Sequence, residues 1–129
     1  MILTAPSGVD YQPLPVDNKA GFPQSFAVLI DGAAYRFLLY VNLPLAAATP
    51  RDAIVDLPTE DSHLVLRIEV EEPNQEARSL FQRKIVPSLE YATGRIRLYF
   101  PRQRVAIANL NGQGDFGSDV QGGVAPRWV

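Results

Sequence analysis

The sequence contains no cysteine, a single histidine and a single tryptophan among its 129 residues. Without cysteine there can be no disulfide framework and no thiolate metal site, and the redox character of the compartment is left open. No apolar run approaches the roughly 20 residues that span a bilayer. The opening "MILTAPSGVD" has neither the basic start nor the apolar centre of a secretory signal, which predicts a chain that is neither exported by that route nor embedded in a membrane. Net charge is −2, so there is no global attraction for nucleic acid.

What the chain does contain is proline and glycine, 11 and 9 respectively, set between short alternating apolar runs. At 129 residues it is long enough for one domain that buries about two-thirds of its unfolded surface. "QSFAVLI" places Phe26, Val28 and Ile30 on one side, and "AAYRFLLYV" does the same with Tyr35, Phe37, Leu39 and Val41. Asp31 and Gly32 stand between them, the strongest short-range hairpin signal. "HLVLRIEV" alternates Leu64, Leu66, Ile68 and Val70 inward against His63, Val65, Arg67 and Glu69 outward. The turn "EEPNQEA" then leads into "RSLFQRKIV" as a second hairpin. "GRIRLYF" and, after Pro101, "RVAIANL" complete about six strands. The stretch 42–62 reads as a loop with room for one short helix capped by Thr49. The fold class expected is all-β, a small antiparallel β-sandwich or barrel over residues 24–110. Residues 1–23, broken by Pro6, Pro13, Pro15 and Pro23, and residues 111–129, rich in glycine, are expected as extended N- and C-terminal arms, mobile in the isolated protein.

Gly112, Gly114 and Gly117 in "NGQGDFGSD" satisfy G-x-G-x-x-G. A dinucleotide loop needs a helix and a second parallel strand behind it, and "SDVQGGVAPRWV", with Gly122, Gly123 and Pro126, supplies neither. The oxygen side chains of Asn109, Asn111, Gln113 and Asp115 imitate a calcium loop, but the twelfth position, where a bidentate glutamate is required, is Val120. Whether Asn109 to Asp119 takes a cation stays open at this level; an obligatory cofactor is not expected. Asp61, Ser62 and His63 are the members of a hydrolytic triad in sequence only, since adjacent residues of an extended chain point to opposite sides. Glu69, Glu71 and Glu72 read as a solvated strand face next to a turn. No enzyme is expected.

Charge order says more than net charge. Between Asp52 and Glu76 stand eight acids with Arg67 the only base; between Arg78 and Arg104 stand seven bases with Glu90 the only acid. These blocks can neutralise each other across neighbouring strands. They can also form opposed surfaces, with Arg95, Arg97, Arg102 and Arg104 meeting Glu69 and Glu71 of the next subunit in a head-to-tail contact that closes into a homo-oligomeric ring. Trp128, next to last in the chain, serves either as a latch on its own domain or as an anchor in a neighbour's pocket. Outward tyrosines among Tyr40, Tyr91 and Tyr99 make a monomeric carbohydrate- or protein-binding β-sandwich module the alternative.

"QSFAVLIDGAAYRFLLYVN", through Gln24, Phe26, Val28, Ile30, Gly32, Tyr35 and Leu39, resembles the opening hairpin of a family of small β-rich proteins from the structural regions of tailed bacteriophages. The resemblance covers residues 24–42 and transfers no site residue. It implies a non-enzymatic structural component of a virion tail or baseplate, made in the host cytoplasm, whose partners are other virion structural proteins. Apart from the resemblance, composition predicts no membrane partner, and nucleic-acid binding by the basic block is a third option, weakened because its arginines alternate with core residues and no RNA- or DNA-reading motif accompanies them.

Overall fold

The computed structural model describes residues 2–43, 52–110 and 117–127. The Asp31–Gly32 pair turns the chain with φ of 49° and 82°, the left-handed values of a two-residue type I′ hairpin. It joins β3 (Gln24–Ile30) to β4 (Ala33–Asn42) in continuous register from Gln24 opposite Leu39 to Ile30 opposite Ala33. The other described strands are β1 (Leu3–Thr4), β2 (Asp10–Pro13), β5 (Ile54–Asp56), β6 (His63–Glu71), β7 (Arg78–Ile85), β8 (Glu90–Thr93), β9 (Ile96–Ala106) and β10 (Asp119–Pro126).

They form two antiparallel sheets, one of four strands in the order β3-β4-β6-β7 and one of six in the order β1-β2-β10-β9-β5, with β8 also paired to β9. The alternating residues of the first sheet face the second: Tyr35, Phe37 and Leu39 from β4 and Leu64, Leu66, Ile68 and Val70 from β6 are buried. Ile96, Leu98, Phe100, Val120 and Val124 meet them from β9 and β10. Phe26, Val28 and Ile30 on β3 pack against this core but are only half-buried, as befits an edge. The all-β class, two antiparallel sheets enclosing one core, is therefore what the alternating pattern required.

The strand count and the ends are corrected. Ten strands are described where about six were expected, and the described parts of both ends contribute strands to the sheet instead of forming arms. β10 lies between β2 and β9 inside the six-stranded sheet, with Tyr11, Leu14, Phe22, Val120, Val124 and Ala125 buried. The prolines do not prevent this. Pro13 ends β2, and the ladder is taken up by the next amide, Leu14 N donating to Gly122 O at 2.8 Å. The glycines of β10 answer close approach, not disorder. A Cβ on Gly122 would collide with the Phe100 ring, and one on Gly123 would lie 2.6 Å from Tyr11 Cβ. The six-stranded sheet curls, so that β1 and β2 close a second small core on its outer side from Ala5, Tyr11, Tyr99 and Ala125.

Two further boundaries differ. "GRIRLYF" and "RVAIANL" are a single strand, β9, which runs through Pro101 because a register shift between Gln121 and Gly123 relaxes the ladder at that point. Its expected end is a 3₁₀ turn, Ile107–Asn109. In the 42–62 stretch Ile54–Asp56 pairs with β9, while the helix suggested at Thr49 lies outside the described residues.

Candidate interaction surface

The outer face of the four-stranded sheet is built in rows across the strands. Ser25, Leu38, Arg67 and Gln82 form one row and Ala27, Arg36, Glu69 and Ser79 the next. The Tyr40 hydroxyl accepts a hydrogen bond from Gln82 Nε2 at 3.2 Å, a reach from β4 to β7 that passes over β6. This explains why Val65, an outward residue by alternation, is buried. Beside it Arg67 donates to Glu69 at 2.9 Å with both side chains more than a third exposed, a pair worth little in stability. Ser25, Arg36, Leu38, Arg67 and Glu69 line a shallow depression of about 170 Å³ on this face.

The two edges of the same sheet differ in kind. β7 carries Arg78, Arg83 and Lys84, is bulged between Ile68 and Glu69 of its partner, and is approached from outside by β8: Thr93 Oγ1 donates to Leu80 O at 3.2 Å, and Arg83 lies over the Tyr91 ring. Charge, a bulge and a covering segment are the devices by which proteins blunt an edge. Among the described residues, β3 has none of them. Its seven residues include no charge and no proline, and Leu29 on its outer face is 74% exposed. Because Ile30 and Ala33 flank a two-residue turn, they and every second pair before them exchange hydrogen bonds with β4. The amides and carbonyls of Ser25, Ala27 and Leu29 consequently point away from the sheet.

The candidate interface residues named by sequence divide between the two layers. Glu69 and Glu71 stand on the outer side of β6, Glu69 against Arg67. Arg97, Arg102 and Arg104 stand on the outer side of β9, and each has a partner in its own chain: Arg97 with Glu90 at 3.7 Å, Arg102 with Asp119 at 2.6 Å and Arg104 with Asp56 at 2.8 Å. The hydrogen bond from Arg104 holds the Asp56 carboxyl below the usual range, and Asp56 in turn raises Arg104. Arg95 is exposed, its carbonyl accepting from Arg127 N at 2.8 Å. Trp128 lies outside the described residues. Of the seven bases in the block, four thus lie within 4 Å of an acid of their own chain, Arg78 with Glu72 and the three arginines of β9 with acids of their own sheet.

A second polar group fastens the N-terminal strands. Glu90 Oε1 accepts from Tyr11 Oη and from Ser7 Oγ, both at 2.7 Å. The Tyr11 hydrogen bond lowers the Glu90 carboxyl, with Ser7 and Arg97 helping, and burial together with Glu90 raises the Tyr11 phenol. Such contacts position strands; they present no reacting group to a cleft.

Of the remaining chemistry, Ser62 is buried, Asp61 exposed and His63 half-buried, with Ser62 O occupied by Thr59 N. Tyr91 and Tyr99 are buried, so of the three tyrosines only Tyr40 shares an open face, and the described residues assemble no stacking platform for a sugar. Among the described residues no three acidic or histidine side chains gather for a metal, and Asn111 to Asp115 lie outside them. Among the described residues no helix is long and apolar enough to cross a membrane. Leu29, Ala27, Ser25 and Leu38 were missed by sequence reasoning; the charge-free run "QSFAVLI" was the available signal. Comparison with protein-family models, with curated proteins and with solved structures finds no match.

Proposed function

We propose that the protein is a non-enzymatic structural component that works by contact with other chains, and that its setting is the tail or baseplate of a virion. The carrying observation is the β3 edge: seven uncharged residues with outward-pointing backbone groups and an exposed Leu29, beside a depression on a mixed apolar and charged face. An edge of this kind is a template for strand addition, in which backbone hydrogen bonds supply affinity and alternate side chains supply selectivity. The resemblance of the β3–β4 hairpin to tailed-phage structural proteins supports the setting. Neutralisation of Arg97, Arg102 and Arg104 within the chain favours contact through this edge over a ring closed by opposed charge blocks.

Particles purified from cultures expressing the gene should contain the chain in fixed proportion to the other tail proteins. Amides of β3 should exchange hydrogen more slowly in the particle than in the free protein. A chain found only outside particles overturns the setting, and unchanged β3 exchange inside them overturns the edge as the contact.

A further inference from the structure

From the geometry of the β3 edge we infer that its occupant is a second copy of the same strand, paired antiparallel about a two-fold axis at Ala27 to join two four-stranded sheets into one of eight. The inference rests on the assembly reading only in taking the chain to work through contact with other chains; the register is read from β3 itself.

The free backbone groups belong to Ser25, Ala27 and Leu29, spaced symmetrically about Ala27. An antiparallel partner centred there sets Ala27 opposite Ala27 and Ser25 opposite Leu29, so all three amides and all three carbonyls of each strand find partners. Centring the axis on Phe26 or Val28 leaves one end of each strand unpaired.

The side chains agree with the backbone. On the outer face Leu29 of one copy stands beside Ser25 of the other, at the rim of the depression formed with Leu38, and the contact is repeated by symmetry. At the axis the facing residue is alanine, small enough for two copies to meet. On the inner face half-buried Phe26 comes opposite Val28 of the partner, covering the apolar flanks that the edge leaves exposed in one molecule. No charged side chain lies in either pairing strand, so like charges do not oppose. This is the self-complementarity of an isologous contact.

The full chain measured by light scattering should have twice the monomer mass. Leu29→Lys places a charge beside its own symmetry mate's strand and should halve that mass. Ala27→Pro removes an amide that serves no bond within the monomer and should do the same. Circular dichroism should stay at wild type in Leu29→Lys, whose side chain is mostly exposed in its own fold, while its melting temperature should lose the dependence on protein concentration that the wild-type dimer shows. A third variant decides the register even if the proline variant fails to fold. The protein has no cysteine, so Ala27→Cys introduces the sole thiol. Paired Cα atoms about 5.5 Å apart across a hydrogen-bonded antiparallel site lie within disulfide reach. Mild oxidation should link Ala27→Cys into a covalent dimer, whereas Ser25→Cys, four residues off its own copy and about 13 Å away, should not link. A monomeric wild type, a dimer indifferent to Leu29→Lys, or stronger linkage through Ser25→Cys would each overturn the pairing. A monomer that still enters particles would overturn the pair and keep the assembly reading; a dimer absent from every particle would do the reverse.

Discussion

The two sheets are made by different means. The four-stranded sheet is a succession of neighbours, β3 to β4 and β6 to β7 each closing a local hairpin, and no described residue covers its outer face or its β3 edge. The six-stranded sheet is sewn from both ends of the chain: β2 meets β10 across more than a hundred residues, and Tyr11 with its neighbours covers part of its outer side. The difference separates stability from contact. Long-range strands close the core and fasten the chain ends, while the sheet that folds from local hairpins carries the edge through which we propose that another chain binds.

Removing residues 111–129 is the harshest way to break that comparison. If the C-terminal segment were an arm, the remainder would fold unchanged. Since β10 is an interior strand whose Val120, Val124 and Ala125 are buried, the truncated protein should lose cooperative melting and its dispersed amide spectrum. Within the four-stranded sheet, Phe37→Ala empties a fully buried site stacked on Phe26 at 5.4 Å, and denaturant titration should show a loss of about 3 to 5 kcal/mol. Within the curled sheet, Gly122→Ala drives a methyl group into the Phe100 ring, and the strain should cost about 1 to 3 kcal/mol by the same measurement. An alanine tolerated at 122 would mean that β9 and β10 are not as closely apposed as described.

The same division governs what could be read from the sequence. The β3–β4 and β6–β7 hairpins were legible because their signals are local: a two-residue Asp-Gly turn and strict alternation. The ends were not, because Pro13, Gly122 and Gly123 look like breakers to a local reading, while their actual settings are a strand end and two close approaches created by distant residues. Pro101 misled for a similar reason, its missing amide being harmless only at a bulge formed with β10. The charge blocks were visible, but that Arg104 would meet Asp56, 48 positions earlier, follows from β5 pairing with β9, which alternation does not encode. Likewise "QSFAVLI" was recognisably apolar, and only the strand order makes it an edge.

Tyr11→Phe sharpens the comparison at the seam where the N-terminal strands are fastened. It removes the hydrogen bond to the Glu90 carboxylate while keeping the ring against Tyr99, and should cost about 1 to 2 kcal/mol at neutral pH, allowing for the partial exposure of Glu90. The pH profile carries the sign. Glu90 is lowered in the fold, so its contribution is present above its ordinary value of 4.5 and is lost as pH falls through the folded value. Tyr11 is raised, so its contribution is present below its ordinary value of 10.0 and is lost as pH rises beyond it. The variant should therefore show a smaller decline of stability on the acid side and lack the alkaline decline due to this phenol, as read from melting temperature against pH. Equal profiles for the two proteins would mean that the bond does not fasten the seam.

The smallest effect concerns the arginines of β9, whose charge the comparison assigns to their own sheet. Asp56 is lowered first by its hydrogen bond with Arg104 and then by the charge of Arg104 and Arg102. Arg104→Gln should raise the Asp56 carboxyl back towards its ordinary 3.8, followed residue by residue in carbon-detected titration. The sign is that of a lowered acid: whatever the pair adds is present above pH 3.8 and lost below it. Both groups are exposed, so solvent and salt screen the pair and the melting temperature at neutral pH should barely move. Assembly should be equally indifferent, because a charge neutralised within the chain has little left to offer a neighbour. If Arg104→Gln leaves folding intact yet abolishes association, the basic strand is a contact surface after all, and the division between a sheet that fastens the fold and a sheet that meets other chains fails on the side of β9.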